Sequence, residues 1–195
     1  DEWLLSWVHL QPLLAPVVPR GGRAIDLGCG TSSLALDLLR DHSSTEGRVL
    51  AIDLAPAAIE AQRAEQSRRL RRGERSAARC ELACADAAAP GALGHEAVYD
   101  AVIDKSTTDG LLCDVRRGGV RVRELYTRVG AVLAPRAVVV VVSWRDPAAE
   151  GVAWLLDLVL AGLRQQQEAA AEEEARFHWR LDVHSVVRGD AGGRG

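Results

Sequence analysis

A short apolar run, Arg23–Leu27, breaks at Gly28-Cys29-Gly30 and gives way to Leu34, Leu36, Leu38 and Leu39, with Thr31 or Ser32 placed to cap a helix. The same hand-over recurs down the chain. Arg48–Leu54, "RVLAIDL", reads as a buried strand that runs into Pro56 and an Ala/Arg/Glu-rich helix to about Arg72. Ala78–Ala85 and Val98–Asp104 are further strand candidates, and Val120–Val132 reads as a helix. Ala137 and the valines Val138–Val142 form the most strand-like run. β-Branched residues without polar alternation predict a strand buried on both faces, in the middle of a parallel sheet. A long helix is expected from about Ala148, apolar through Leu163 and continuing into the solvated stretch "QQQEAAAEEEA". Phe177, Trp179, Leu181 and Val183 then alternate with polar neighbours, as in a last strand with one wet face. Alternation of this kind points to an α/β fold: a doubly wound, mostly parallel sheet with helices on both faces and ligand loops at the carboxyl ends of its strands.

With 195 residues and 48% apolar content, the chain can build one sizeable core. The reading is a single domain over 1–188 and a disordered Gly/Arg tail over 189–195. A net charge of −3 favours neither nucleic acid nor an anionic membrane as partner. The run "RRLRRGER", Arg68–Arg75, lacks interleaved aromatics and reads as a solvated helix face. No apolar run reaches the length of a membrane span. Cys29, Cys80, Cys84 and Cys113 show no CxxC pair, so no metal is expected and the thiols read as reduced and intracellular. His9, His42, His95, His178 and His184 share no motif. The chain starts at Asp1 and contains no Met, so a trimmed natural N-terminus is expected.

In a doubly wound sheet the chemistry belongs where strands hand over to helices. Gly28 and Gly30 permit a tight turn and close approach of a ligand to the backbone at Cys29, while Asp26 is placed to orient that loop or meet a cation. A dinucleotide loop would carry a third glycine for a pyrophosphate, and this chain has Ser33 there. Asp53 can accept from both hydroxyls of a ribose or serve the following helix as a cap. Asp86 can accept from an exocyclic amine beside the Ala87 N–H, or act as a turn aspartate. The fourth strand ends at Asp104 and Lys105, the only lysine in a chain with 23 arginines. A compact ammonium fits where a planar guanidinium fork does not; the alternative is that Lys105 ties down its loop by pairing with Asp104 or Asp109.

"DLGCGTSSLALDLL", "AIDLAPAAIEAQ", "CADA" and "YDAVIDKSTTDGLLC", in this order, resemble the class I, seven-strand methyltransferases that use S-adenosylmethionine. "DKSTTDGLLC" is similar to the D-K-[GS]-T-x-D-[AG]-[LM]-L motif of the methyltransferase-like group that includes the lysine methyltransferases of elongation factor and citrate synthase. "EWLLSWVHLQPLL" and "VLAPRAVVVVVSWRDP" resemble that group's lead-in and its later strand, with Arg136 where glycine is common. The resemblance spans most of residues 2–147. It implies S-adenosyl-L-methionine as cofactor and S-adenosyl-L-homocysteine as product. Trp3 would border the cofactor, Gly28 touch the nucleoside, Asp53 the ribose, Leu54 the adenine face, Asp86 and Ala87 the adenine edge. Asp26, Cys29, Gly30, Asp104 and Lys105 complete the expected site. Only one strand is evident after the long helix where two are expected, so the C-terminal hairpin reads as incomplete.

The implied reaction is methyl transfer to a protein lysine amine. The alternatives are a small-molecule methyltransferase and a cofactor-binding but inactive partner subunit. A nicotinamide oxidoreductase is opposed by Ser33 and by the lack of a Tyr-x-x-x-Lys pair. The amine must lose its proton, which an apolar mouth favours. Asp104 and Asp109 are the nearest acidic candidates for orienting it, with loop hydrogen bonding as the competing role, and no general base is assigned. The expected partner is a protein substrate, and the expected compartment is the cytoplasm, with the mitochondrion as alternative.

Overall fold

The computed structural model describes residues 5–41, 46–95, 98–145, 151–168 and 182. Five strands, β1 (Arg23–Leu27), β2 (Arg48–Asp53), β3 (Cys80–Cys84), β4 (Tyr99–Lys105) and β5 (Leu133–Val142), form one sheet in the order β3-β2-β1-β4-β5. Every neighbouring pair is parallel. The helices are α1 (Trp7–Leu14), α2 (Leu34–Asp41), α3 (Pro56–Arg71), the short α4 (Thr107–Leu111), α5 (Gly118–Val132) and α6 (Gly151–Glu168). A 3₁₀ turn, Arg75–Arg79, leads into β3.

Successive strand residues point to opposite faces, and each face has its own cover. Ala24, Val49, Ala51 and Ile103 pack with Trp7, Leu10, Leu14, the leucines of α2 and Ile59 of α3. Ile25, Leu27, Leu50 and Ile52 pack with Val122, Tyr126 and Val129 of α5 and Leu155, Leu158 and Leu163 of α6. The doubly wound architecture is thus present, and the strand order reverses at β1, where open α/β sheets place their ligands.

One expectation is corrected, and another reaches beyond the described residues. Val138–Val142 were read as a doubly buried strand in the middle of the sheet; in the described sheet β5 follows β4 with these valines half-buried, and the further strand expected from Phe177 lies outside the described residues. The Arg68–Arg75 run was read as a solvated face. Arg69 is instead buried, with its guanidinium against Asp37 (2.8 Å), Glu65 (2.8 Å) and Glu74 (3.3 Å). The expected last strand from Phe177 and the tail lie outside the described residues. Arg136 has φ 67°, the left-handed backbone that explains glycine's usual place there. Among the described residues no helix is long and apolar enough to cross a membrane.

Candidate active site

The carboxyl ends of β1, β2, β3 and β4 surround a cleft of about 430 Å³. That size falls within the ~300–1,000 Å³ typical of small-molecule pockets. Its walls include Asp26, Gly28, Cys29 and Gly30 after β1, Asp53 and Leu54 after β2, Asp86 and Ala87 after β3, and Lys105 after β4. Residues scattered through the sequence therefore meet at one edge of the sheet.

The glycine loop is held from three sides. Gly28 and Gly30 adopt φ 57° and 53°. A Cβ on Gly28 would lie 2.1 Å from Thr107 Oγ1, which donates to the Leu27 carbonyl at 2.6 Å. The lysine motif is thus latched onto the glycine loop through a space only glycine leaves open. Asp53 accepts the Gly30 N–H at 2.8 Å with one oxygen and the Ala55 N–H at 2.8 Å with the other. Gln62, buried on α3, donates to the carbonyls of Gly30 (3.0 Å) and Ser32 (2.5 Å). Burial, reinforced by Asp26 and Asp53, pushes the Cys29 thiol far above its ordinary range, so it packs as a neutral wall group.

At the β3 end, Asp86 accepts the Ala88 N–H at 3.0 Å and a guanidinium proton of Arg121 at 2.5 Å. Burial pushes its carboxyl up, but the bonds from Arg121 and Ala88 outweigh that and hold it below the ordinary value. Leu54 is 68% exposed, an apolar side chain presented to the cleft.

Asp104 corrects its expectation. It is 0% exposed and is not part of the cleft wall. One carboxylate oxygen takes the N–H groups of Thr107 (2.8 Å) and Thr108 (3.1 Å); the other takes the hydroxyls of Thr108 (2.5 Å) and Tyr126 (2.9 Å). Burial raises its pKa despite those donors. It anchors the start of α4 and so sets the backbone that carries Lys105. Asp109 is likewise occupied, by the Ser143 hydroxyl (2.8 Å) and the Trp144 N–H (3.2 Å). Neither carboxylate presents itself to an incoming amine. Trp3 lies outside the described residues.

Several wall or support residues were not among the site residues expected from the sequence. Arg121 and Leu125 come from α5, Gln62 from within an Arg/Glu-rich helix, and Ser106, Thr107 and Leu111 from positions beside the lysine. Ser106, Thr107 and Leu111 lie inside the motif that marks Lys105, whereas no local pattern marks Arg121, Leu125 or Gln62, which packing alone brings in.

Comparison with known proteins matches this geometry to a family. The methyltransferase domain family model matches residues 19–184, and the chain belongs to that family. The fold is that of the class I methyltransferases, and the cofactor is S-adenosylmethionine. Over 160 residues the chain is 29% identical to the mitochondrial citrate synthase-lysine N-methyltransferase of Homo sapiens, covering 75% of this chain and 63% of that protein. The protein of the same name from Pongo abelii is 28% identical over 160 residues. The chain thus spans 63% of the length of these curated relatives. A TehB-like S-adenosylmethionine-dependent methyltransferase from Corynebacterium glutamicum superposes with TM-score 0.54 at 15% identity, covering 79% of this chain and 71% of that one. A glycopeptide N-methyltransferase complexed with sinefungin gives TM-score 0.53 at 19% identity, covering 72% and 51%. These two likenesses concern the fold.

The residues present fit the nucleoside cofactor. The loop has room for close approach at Gly28 and Gly30, Asp53 keeps further lone pairs beyond its two backbone bonds, and Leu54 offers an exposed apolar surface.

Proposed function

We propose that this chain is a protein-lysine N-methyltransferase. The observation that carries the acceptor class is the 160-residue match to a citrate synthase-lysine N-methyltransferase, joined to a cleft whose wall carries Lys105 of the D-K-S-T-T-D motif. Asp53 would hold the ribose hydroxyls, Leu54 the adenine face, and Asp86 with the Ala87 N–H the adenine edge. Gly28, Cys29 and Gly30 would form the turn beneath the nucleoside, with Asp26 and Lys105 toward its amino-acid end and Trp3 at the border. When bound, the cofactor supplies a methyl group on a sulfonium, already a good leaving group.

The chain's own task is then alignment and exclusion of water. The apolar side chains of Leu111 and Leu125 on the cleft wall disfavour a charged amine. A lysine ammonium, with an ordinary pKa of about 10.4, is pushed toward its neutral, nucleophilic form there. Asp104 and Asp109 are committed to the loop, so the proton leaves to solvent as the amine enters the cleft. The relatives' mitochondrial designation makes that compartment the first to examine, ahead of the cytoplasm.

The test is labelled S-adenosylmethionine with a cell lysate, followed by identification of the labelled band. Asp53→Ala and Lys105→Ala are each expected to abolish labelling, and Asp53→Ala to lose S-adenosylhomocysteine affinity in titration calorimetry. Label recovered only in small molecules overturns the protein-lysine assignment, and unchanged affinity in Asp53→Ala overturns the ribose assignment.

A further inference from the structure

Ser106 departs from ordinary structure in two independent ways. Its φ is 70°, the left-handed region that a residue with a Cβ rarely occupies. Its Oγ is shielded from solvent and makes no hydrogen bond within the described structure. Strain and an unsatisfied buried hydroxyl each disfavour the fold, and glycine would remove both.

The surroundings explain how the strain is held. The Ser106 N–H donates to the Val142 carbonyl at 2.9 Å, and its own carbonyl accepts the Gly110 N–H at 2.9 Å. On the following residue, the Thr107 N–H is fixed by Asp104 and the Thr107 hydroxyl by the Leu27 carbonyl. The backbone is over-determined on both sides, so its conformation is imposed by β1, β4 and β5 together. Only the hydroxyl is left without a task. Ser106 also forms part of the cleft wall, between Lys105 and Thr107. Rotation about χ1 from one staggered well to another carries Oγ to a new direction without moving this pinned backbone.

We propose that Ser106 is a ligand-contacting residue whose hydroxyl turns into the cleft to accept a hydrogen bond from a primary amine. The inference rests on the methyltransferase reading and deepens it. Two amines can enter this cleft: the α-amino group at the amino-acid end of the cofactor, and the amine that receives the methyl group. The retained hydroxyl gains its partner only when one of them is present. Strain stored at a cleft wall and balanced by a ligand contact is a recurrent arrangement.

The experiment compares wild type, Ser106→Ala and Ser106→Gly. Affinities are measured for S-adenosylhomocysteine and for 5′-methylthioadenosine, which shares the nucleoside and sulfur but lacks the amino-acid end. Ser106→Gly is expected to raise Tm by about 2–4 °C through relief of the backbone. If the contact is to the cofactor, both variants bind S-adenosylhomocysteine roughly tenfold more weakly and 5′-methylthioadenosine unchanged. If it is to the acceptor, both nucleosides bind as in wild type. Single-turnover transfer to citrate synthase, at saturating S-adenosylmethionine, then slows roughly tenfold. A raised Tm in Ser106→Gly with unchanged affinities and unchanged transfer overturns the proposal. If wild type binds S-adenosylhomocysteine but transfers to no protein, the lysine reading fails, and the nucleoside comparison alone decides the role of Ser106.

Discussion

Gly28 shows how much one absent side chain can determine. Its φ of 57° disfavours any Cβ, and the space a Cβ would take is filled by Thr107 Oγ1 at 2.1 Å. Gly28→Ala must therefore strain the loop and push Thr107 off the Leu27 carbonyl. Each effect is of order 1–2 kcal/mol, so a loss of about 3 kcal/mol is expected in urea unfolding. Thr107→Ala removes Oγ1 and should partly relieve the Gly28→Ala defect, giving a coupling of about 1 kcal/mol in a double-mutant cycle. Strict additivity would show that the glycine loop and the lysine motif do not meet.

At the scale of elements, the helix pair α5–α6 decides where the inner wall of the cleft stands. A Cβ on Gly162 of α6 would lie 2.7 Å from both the Arg123 carbonyl and Tyr126 Cβ on α5. Tyr126 in turn donates to Asp104, which fixes the start of α4. Gly162→Ala should force the helices apart, cost about 1–3 kcal/mol and weaken S-adenosylhomocysteine binding through that chain of contacts. Gly119→Ala is the control, since its Cβ would meet only Leu158 methyls at 3.7 Å and 3.8 Å. It should be neutral within about 0.5 kcal/mol, because Gly119 sits in the first turn of α5. A Gly162→Ala protein as stable as wild type would mean the helices are not in close contact. The boundaries of β1 to β4, α3 and α5 were legible locally to within a few residues, while α1 and α4 were not; this close approach depends on one glycine facing another helix.

Over the whole molecule, charge is distributed as anchors. Arg69 joins Asp37 of α2, Glu65 of α3 and Glu74 of the following turn, well away from the cleft edge of the sheet. Removing it leaves Asp37 to Arg40 and Ser33 and Glu65 to Arg68, so Arg69→Gln should lose about 1–3 kcal/mol at pH 7. Burial raises the Glu65 carboxyl, but the bonds from Arg69 and Arg68 win and lower its pKa. Its stabilising contribution is thus present above the unfolded value and lost as pH falls through the folded one. The difference between Arg69→Gln and wild type should narrow between pH 7 and pH 3 in denaturant titrations; a gap independent of pH would remove the ion-pair explanation. Asp41, lowered by its bond from Arg40, and Asp86 add to the same acid limb. Asp104 has the opposite sign: its raised pKa contributes stability at low pH that is lost as pH rises through the folded value.

By itself the sequence determined the alternation of strands and helices and the polar residues at the strand ends. Both are local consequences of side-chain periodicity and backbone freedom. It also marked Gly28, Asp53, Asp86 and Lys105 as residues that a parallel sheet would bring to one edge. Tertiary structure alone decided that Asp104 turns inward while Lys105 faces the cleft, and that Arg121 and Gln62 reach the site from helices. The physical reason is that burial and hydrogen-bond partnership belong to pairs of elements, and a carboxylate's role is set by the donors that packing brings to it.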